Sequence, residues 1–157
     1  VHMDSKIVKM AMVAALAVAS ATACATATET GRPSPGDPAA SGVATSLVIQ
    51  QFLRAVNAND LDTMARLFGT RDGPIVELYD RKQVDDRMFA IASILKHQDY
   101  SIDGTQIVPG RRDEATMINV LMSVDGAEVV VPYTLVWSQG ESWLIEQIGL
   151  EAITNRR

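Results

Sequence analysis

Asp125-Gly126 stands between two runs, Glu114–Val124 and Ala127–Trp137, that both alternate and both carry many β-branched residues. Asp-Gly between alternating apolar residues is the strongest short hairpin signal, because a type I′ turn needs positive φ at both central positions. A turn here forces the pairing. Val124 falls opposite Ala127, Met122 opposite Val129, Val120 opposite Val131, and Ile118 opposite Tyr133. Gln139-Gly140 supplies a second turn into Ser142–Leu150. It predicts Leu135 opposite Leu144, Tyr133 opposite Glu146, Val131 opposite Ile148 and Val129 opposite Leu150. A strand over Tyr100–Val108, with imperfect alternation, comes first and ends at the turn Pro109-Gly-Arg-Arg112. The second half of the chain is therefore a four-stranded antiparallel meander.

Side chains in a strand alternate between faces, so this register assigns two faces. One collects Thr116, Ile118, Val120, Met122, Val129, Val131, Tyr133, Leu135, Leu144, Ile148 and Leu150, and must meet the rest of the core. A one-residue slip would turn all of it outward. The other carries Met117, Leu121, Val130, Val136, Trp143 and Ile145 beside Asn119, Glu128, Thr134 and Gln147. That is apolar for a solvated sheet surface, and such patches mark partner contacts. A homodimer through this outer face is the expectation. Trp137 and Trp143 serve as anchors or as packing. Pro132 has no N–H for the ladder and belongs at an edge or a bulge, so a bulge near it is expected.

Ahead of the sheet lie three helical patterns. The first spans Val43–Asn57, with Ile49, Phe52, Leu53 and Val56 at helical spacing. The second starts at Asp60, a favourable N-cap, and ends at Gly69, a natural C′ residue. Its stripe is Leu61, Met64, Leu67 and Phe68. Asp72-Gly73-Pro74 is a turn, and Ile75-Val76 reads as an abbreviated strand. The third helix runs Asp80–Lys96 on Val84, Met88, Ile91 and Leu95, widened by Phe89 and Ile94. Helices followed by an antiparallel meander make an α+β domain.

The N-terminus has a different character. Lys6 and Lys9 precede the apolar run Met10–Ala19, followed by the small residues Ser20–Ala23 and the single cysteine, Cys24. A positive end, a short apolar middle and a small-residue site make a secretory signal peptide. The apolar run is about half of the roughly 20 residues that a membrane span needs. Ala21-Thr-Ala-Cys24 resembles a bacterial lipoprotein site, in which the cysteine is acylated and becomes the new N-terminus. Ala21 departs from the usual Leu, Val or Ile. Lipidation at Cys24 and simple cleavage nearby both stay open. Acylation would hold the protein on a membrane, since each buried CH₂ contributes about 0.8 kcal/mol. Residues 24–42 hold three prolines and little to bury, which reads as a disordered tether. The expected organisation is a signal segment over 1–23, a tether over 24–42 and one domain over 43–157, located in the bacterial envelope or periplasm.

Removing Lys6, Lys9 and Asp4 with the leader takes the formal charge from −5 to −6. An acidic chain whose adjacent arginines, Arg111-Arg112 and Arg156-Arg157, are pairs and not a patch lacks the clustered cations that nucleic acid requires. One cysteine allows no internal disulfide, so stability rests on the packed core.

Phe52-Leu-Arg-Ala-Val-Asn-Ala-Asn-Asp-Leu-Asp-Thr-Met-Ala-Arg-Leu-Phe68, a third helix, and a meander ending in Ser142-Trp-Leu-Ile-Glu-Gln-Ile148 resemble the NTF2-like superfamily, a cone-shaped, cystatin-like α+β fold. The resemblance covers about residues 43–152 and implies helices packed on a curved sheet. It implies no single activity, because the superfamily includes ketosteroid isomerase-like enzymes, dehydratases, polyketide cyclases, transport factors and non-catalytic accessory domains. Function has to be read from the site.

Within the apolar face, the predicted register sets Tyr133 beside Glu146. A carboxylate in apolar surroundings can act as general base or acid, and a phenol can donate to a developing oxyanion. His97, the sole histidine beyond the leader, falls at the end of the third helix as a cap or as a proton shuttle at a pocket mouth. Glu146, Tyr133 and His97 are the catalytic candidates. The same pair also serves as a structural hydrogen bond at the mouth of the cone. No second histidine exists for a metal site, Asp85-Asp86 reads as solvated surface, and no motif implies a cofactor. Two functions follow. One is a non-catalytic module that binds a small apolar ligand or an envelope protein. The other is a small enzyme of isomerase, dehydratase or cyclase type.

Overall fold

A computed structural model describes residues 38–111 and 114–156, with side chains from Ser41 onward. The signal segment, Cys24 and the tether as far as residue 37 lie outside the described residues.

Helix α1 (Pro38–Ala58) begins five residues before the expected start at Val43. Proline is pre-organised for the first turn of a helix. The Thr45 hydroxyl donates to the Ser41 carbonyl at 2.8 Å, and the Ser46 hydroxyl to the Gly42 carbonyl at 2.8 Å. The part of the predicted tether from Pro38 to Gly42 is thus helical. The end of α1 is a Schellman motif. Asn59 takes φ 54°, its N–H donates to Val56, and the Asp60 N–H donates to Ala55. Asp60 at once caps α2 (Leu61–Leu67), accepting from the Thr63 N–H at 3.1 Å and from its hydroxyl at 2.7 Å.

Gly69 does not end α2 in a left-handed turn. Phe68 is the cap in extended geometry, and Gly69 opens a small hairpin of β1 (Gly69–Thr70) and β2 (Gly73–Pro74). Close approach is what demands glycine there. A Cβ on Gly69 would press on the Gly73 carbonyl oxygen and lie 2.8 Å from Leu144 Cδ1. Phe68 bridges Ile145 in parallel, which sets this hairpin beside the main sheet.

Ile75-Val76 is not a strand. It opens the single helical turn α3 (Ile75–Leu78), because the Ile75 N–H is taken by the Phe68 carbonyl and its own carbonyl accepts from Tyr79. Helix α4 (Arg81–Leu95) is capped by Asp80 and buries Val84, Met88, Ile91 and Leu95. Phe89 does not widen that stripe: it is exposed, lying about 100° around the helix from buried Met88. Asp85 and Asp86 are surface residues that pair with Arg81 and Lys82, and Arg81 also reaches Asp62 on α2 at 2.6 Å.

The main sheet has the order β3 (Asp99–Ile107), β4 (Ala115–Val124), β5 (Ala127–Trp137), β6 (Trp143–Ile148), all antiparallel. Gly104, with φ 54°, marks a shift between Asp103 and Thr105, which explains the imperfect alternation of β3. The β4–β5 pairing is the one that Asp125-Gly126 dictates, with φ 51° and 78° at the turn. A final helix, α5 (Glu151–Thr154), was not expected. Five helical segments, rather than three, therefore occur among the described residues. The core lies between the sheet and α1, α2 and α4, where Ile49, Phe52, Met64, Met88, Ile118, Met122 and Leu135 are fully buried.

The β5–β6 pairing differs from the expected register. Trp137 faces Trp143, because the connection is the longer loop Ser138–Ser142 with Glu141 at φ 54°. That loop shifts the phase by one residue, so Trp143 and Ile145 turn toward the helices and Leu144 turns to the opposite face, where it stays buried. A bulge between Thr134 and Leu135 then reverses the shift, with Glu146 as the unpaired extra residue. Ile148 consequently keeps its expected face, opposite Tyr133 rather than Val131. The bulge is not at Pro132, where the β4–β5 register runs unbroken. Pro132 instead ends the β5–β6 ladder: its carbonyl accepts from the Gly149 N–H at 2.9 Å, one step past the Tyr133–Ile148 pair. A proline where pairing stops forfeits little.

Candidate functional site

The stripe of α4 adjacent to its buried one carries Arg87, Ala90, Ile91 and Ile94, spaced to share a helix face. Beneath that face, β6 and the turn after it present Glu146, Gln147, Ile148 and Leu150. Between them lies a solvent-open hollow of about 310 Å³, with Phe68 completing the wall. Its lining is mostly apolar, with Arg87, Glu146 and Gln147 as its polar groups. The Arg87 guanidinium carbon sits 5.2 Å from the Phe68 ring centroid, a cation–π arrangement that holds the cation over the wall.

Glu146 reaches this hollow because the bulge frees it from the ladder. Its partner is Arg111, from the loop between β3 and β4. Arg111 Nη1 donates to Oε2 at 2.7 Å, and Nη2 to Oε1 at 3.2 Å. This two-pronged geometry is the strongest form of carboxylate recognition. It raises the Arg111 pKa, chiefly through the hydrogen bond to Glu146 and against the opposing effect of burial.

The structure does not bring the three sequence candidates together. Tyr133 and Glu146 are not register partners. Tyr133 is fully buried, and its hydroxyl donates to the Met122 sulfur at 3.5 Å, a weak contact. Burial pushes the phenol pKa well above its ordinary value. Such a group has no route to a ligand or to water. His97 is also buried, not at a pocket mouth. Its Nδ1 lies 2.9 Å from the Leu95 carbonyl, which can only accept, and its Nε2 lies 3.3 Å from the Asn57 amide nitrogen. Asn57 also accepts from the His97 N–H at 3.2 Å and donates to its carbonyl at 3.1 Å. The hydrogen-bond network therefore assigns the Nδ1–H tautomer. His97 closes a last-turn carbonyl of α4 and ties that end to α1.

The outer face loses part of its expected apolar surface. Trp143 and Ile145 point inward, where Trp143 packs edge-on against Trp137 at 5.4 Å. Val136 is buried, and the nearby turn is tied down through Gln139 N–H to the Arg71 carbonyl at 2.8 Å. Val130 stays exposed on this face, with Met117 and Leu121 half-buried.

Sequence reasoning missed Arg111 and Arg87. Arg87 was legible, because it shares helical spacing with Ile91 and Ile94. Arg111 was not: it sits in a turn, 35 residues from its partner.

Among solved structures, the chain resembles an NTF2-like protein of unknown function from Silicibacter pomeroyi, with 12% identity and a TM-score of 0.50 over 71% of this chain and 95% of that one. The fold is NTF2-like. A Shewanella frigidimarina protein provisionally named a ketosteroid isomerase aligns with a TM-score of 0.46 at 15% identity, over 67% of this chain and 92% of that one. A Catenulispora acidiphila structure aligns at 0.46 and 14%, over 70% and 89%. No family model matches the chain, and no curated protein matches it in sequence. At 12% identity the likeness to the Silicibacter pomeroyi protein speaks for the NTF2-like fold alone.

Proposed function

We propose that this protein is an exported, non-catalytic binding module that takes a small apolar ligand in the hollow between α4 and β6. One observation carries the reading. The carboxylate that lines the hollow is held by Arg111, while the phenol that would assist it is sealed in the core. What remains is an apolar recess at the small end of ligand-site volumes, with a few polar groups at its rim. The leader and Cys24 support export and a lipid anchor, which would place the module on the envelope membrane. Mass spectrometry of the protein from a bacterial host would then find Cys24 acylated at the new N-terminus.

The ligand reading is tested by titration with the neutral apolar dye Nile red. Saturable one-to-one binding is expected. Ala90→Trp, an exposed substitution that fills the hollow, abolishes it while leaving the melting temperature within a few degrees. Dye binding that is absent, or unaffected by Ala90→Trp, overturns the reading.

A further inference from the structure

We propose that the hollow selects an amphipathic carboxylate, such as a medium-chain fatty acid, with the head group on Arg87 and the chain along the apolar wall. This rests on the ligand reading above and names the class of ligand.

The argument begins with charge. Arg81 and Lys82, on the same helix, each hold an aspartate. Arg87 has no carboxylate partner among the described residues, although the protein is acidic overall. Among the described residues its guanidinium lies over the Phe68 ring, which fixes the cation at the hollow. Glu146 does not cancel it, because Arg111 already neutralises Glu146 through two hydrogen bonds. With Glu146 paired to Arg111 outside the lining, Arg87 is the charge left over at the hollow.

Shape supports the same class. A guanidinium presents paired N–H donors that match the two oxygens of a carboxylate. The rest of the wall is mostly apolar, with Phe68, Ile91, Ile94, Ile148 and Leu150 beside Glu146 and Gln147. Arg87 also borders a second hollow of about 200 Å³ against Ile75, Tyr79 and Val84. The cation thus borders both hollows, which suits a charged head with an unbranched tail. Each methylene buried multiplies affinity by up to about four.

The test compares octanoate with octanol, which share a chain and differ in the head, by calorimetry on the full-length protein. Octanoate is expected to bind at least tenfold tighter. Arg87→Gln should bring the two within about twofold, and Arg87→Lys should fall between. Equal binding of both ligands to the wild type, or octanoate binding that ignores Arg87→Gln, overturns the carboxylate proposal but leaves the hollow as a neutral apolar site. If neither ligand binds and Nile red also fails, the ligand reading falls with it.

Discussion

Arg111 and Glu146 belong to two parts of the sheet that share no ladder, yet they meet in two hydrogen bonds of 2.7 and 3.2 Å. The β3–β4 loop supplies one partner, and a bulge in β6 releases the other. The pair is roughly one-third exposed on each side, 36% and 27% of the two side chains, so solvent screens part of its attraction.

Removing the cation should cost more than removing the anion's charge. Arg111→Ala leaves Glu146 ionised beside apolar side chains and is expected to destabilise by about 1–2 kcal/mol. Glu146→Gln keeps a hydrogen-bond acceptor and should cost less than about 1 kcal/mol. Urea unfolding at low and high salt checks both, and the coupling energy from a double-mutant cycle should shrink as salt screens the pair.

Tyr133→Phe is expected to change stability by under about 1 kcal/mol at neutral pH, since the hydroxyl meets only a thioether. Its signature lies in alkali. The folded phenol has a raised pKa, so the native state keeps its proton while the unfolded chain gives it up near the ordinary value of 10.0. The contribution is whole below pH 10 and is lost as pH rises beyond it, at about 1.4 kcal/mol per pH unit. Chemical unfolding between pH 9 and 11 should show stability falling by about 1.4 kcal/mol in all, steepening above pH 10, in the wild type and by less in Tyr133→Phe.

Asn57→Ala strips three partners from His97 at once. Buried polar groups left unpaired cost more than the bonds themselves were worth. A loss of about 2–3 kcal/mol is expected, together with faster hydrogen exchange at the His97 amide. Exchange that stays unchanged would mean that the α1–α4 tie does not hold in solution.

Gly149→Ala would push a Cβ to 2.5 Å from Pro132 Cγ and 2.8 Å from its Cδ. Overpacking of this kind typically costs about 1–3 kcal/mol. Pro132→Ala removes the ring and should recover most of that loss in the double variant, as thermal melts of all three proteins would reveal.

How far the chain could be read depended on where its turns announce themselves. Asp125-Gly126 has a sequence signature, and with it the whole β4–β5 register was legible, down to Ile118 against Tyr133. Asp60 and Asp80 likewise declared the starts of α2 and α4. Glu141 gives no such sign: a glutamate at positive φ lengthened a loop that Gln139-Gly140 seemed to close. One residue of loop was enough to exchange the faces of Trp143 and Leu144, and the compensating bulge at Glu146 left no trace in composition. The predicted Tyr133–Glu146 pair failed for that reason, and the hollow with Arg87 and Arg111 emerged only from the folded chain. His97 was placed at the correct helix end, but its burial against Asn57 depended on a contact 40 residues away.

Where Pro132 halts the ladder, the first half of β5, Ala127–Val131, has β4 on one side and no strand on the other among the described residues. Bare backbone of this sort invites a foreign segment to zip onto it, the usual first step toward fibrils. Here the approach is obstructed. The proline offers no donor, and Arg156, in the turn after α5, occupies the Glu128 carbonyl at 2.7 Å. The C-terminal turn thus works as a bumper, and trimming it would be expected to make concentrated solutions cloud sooner.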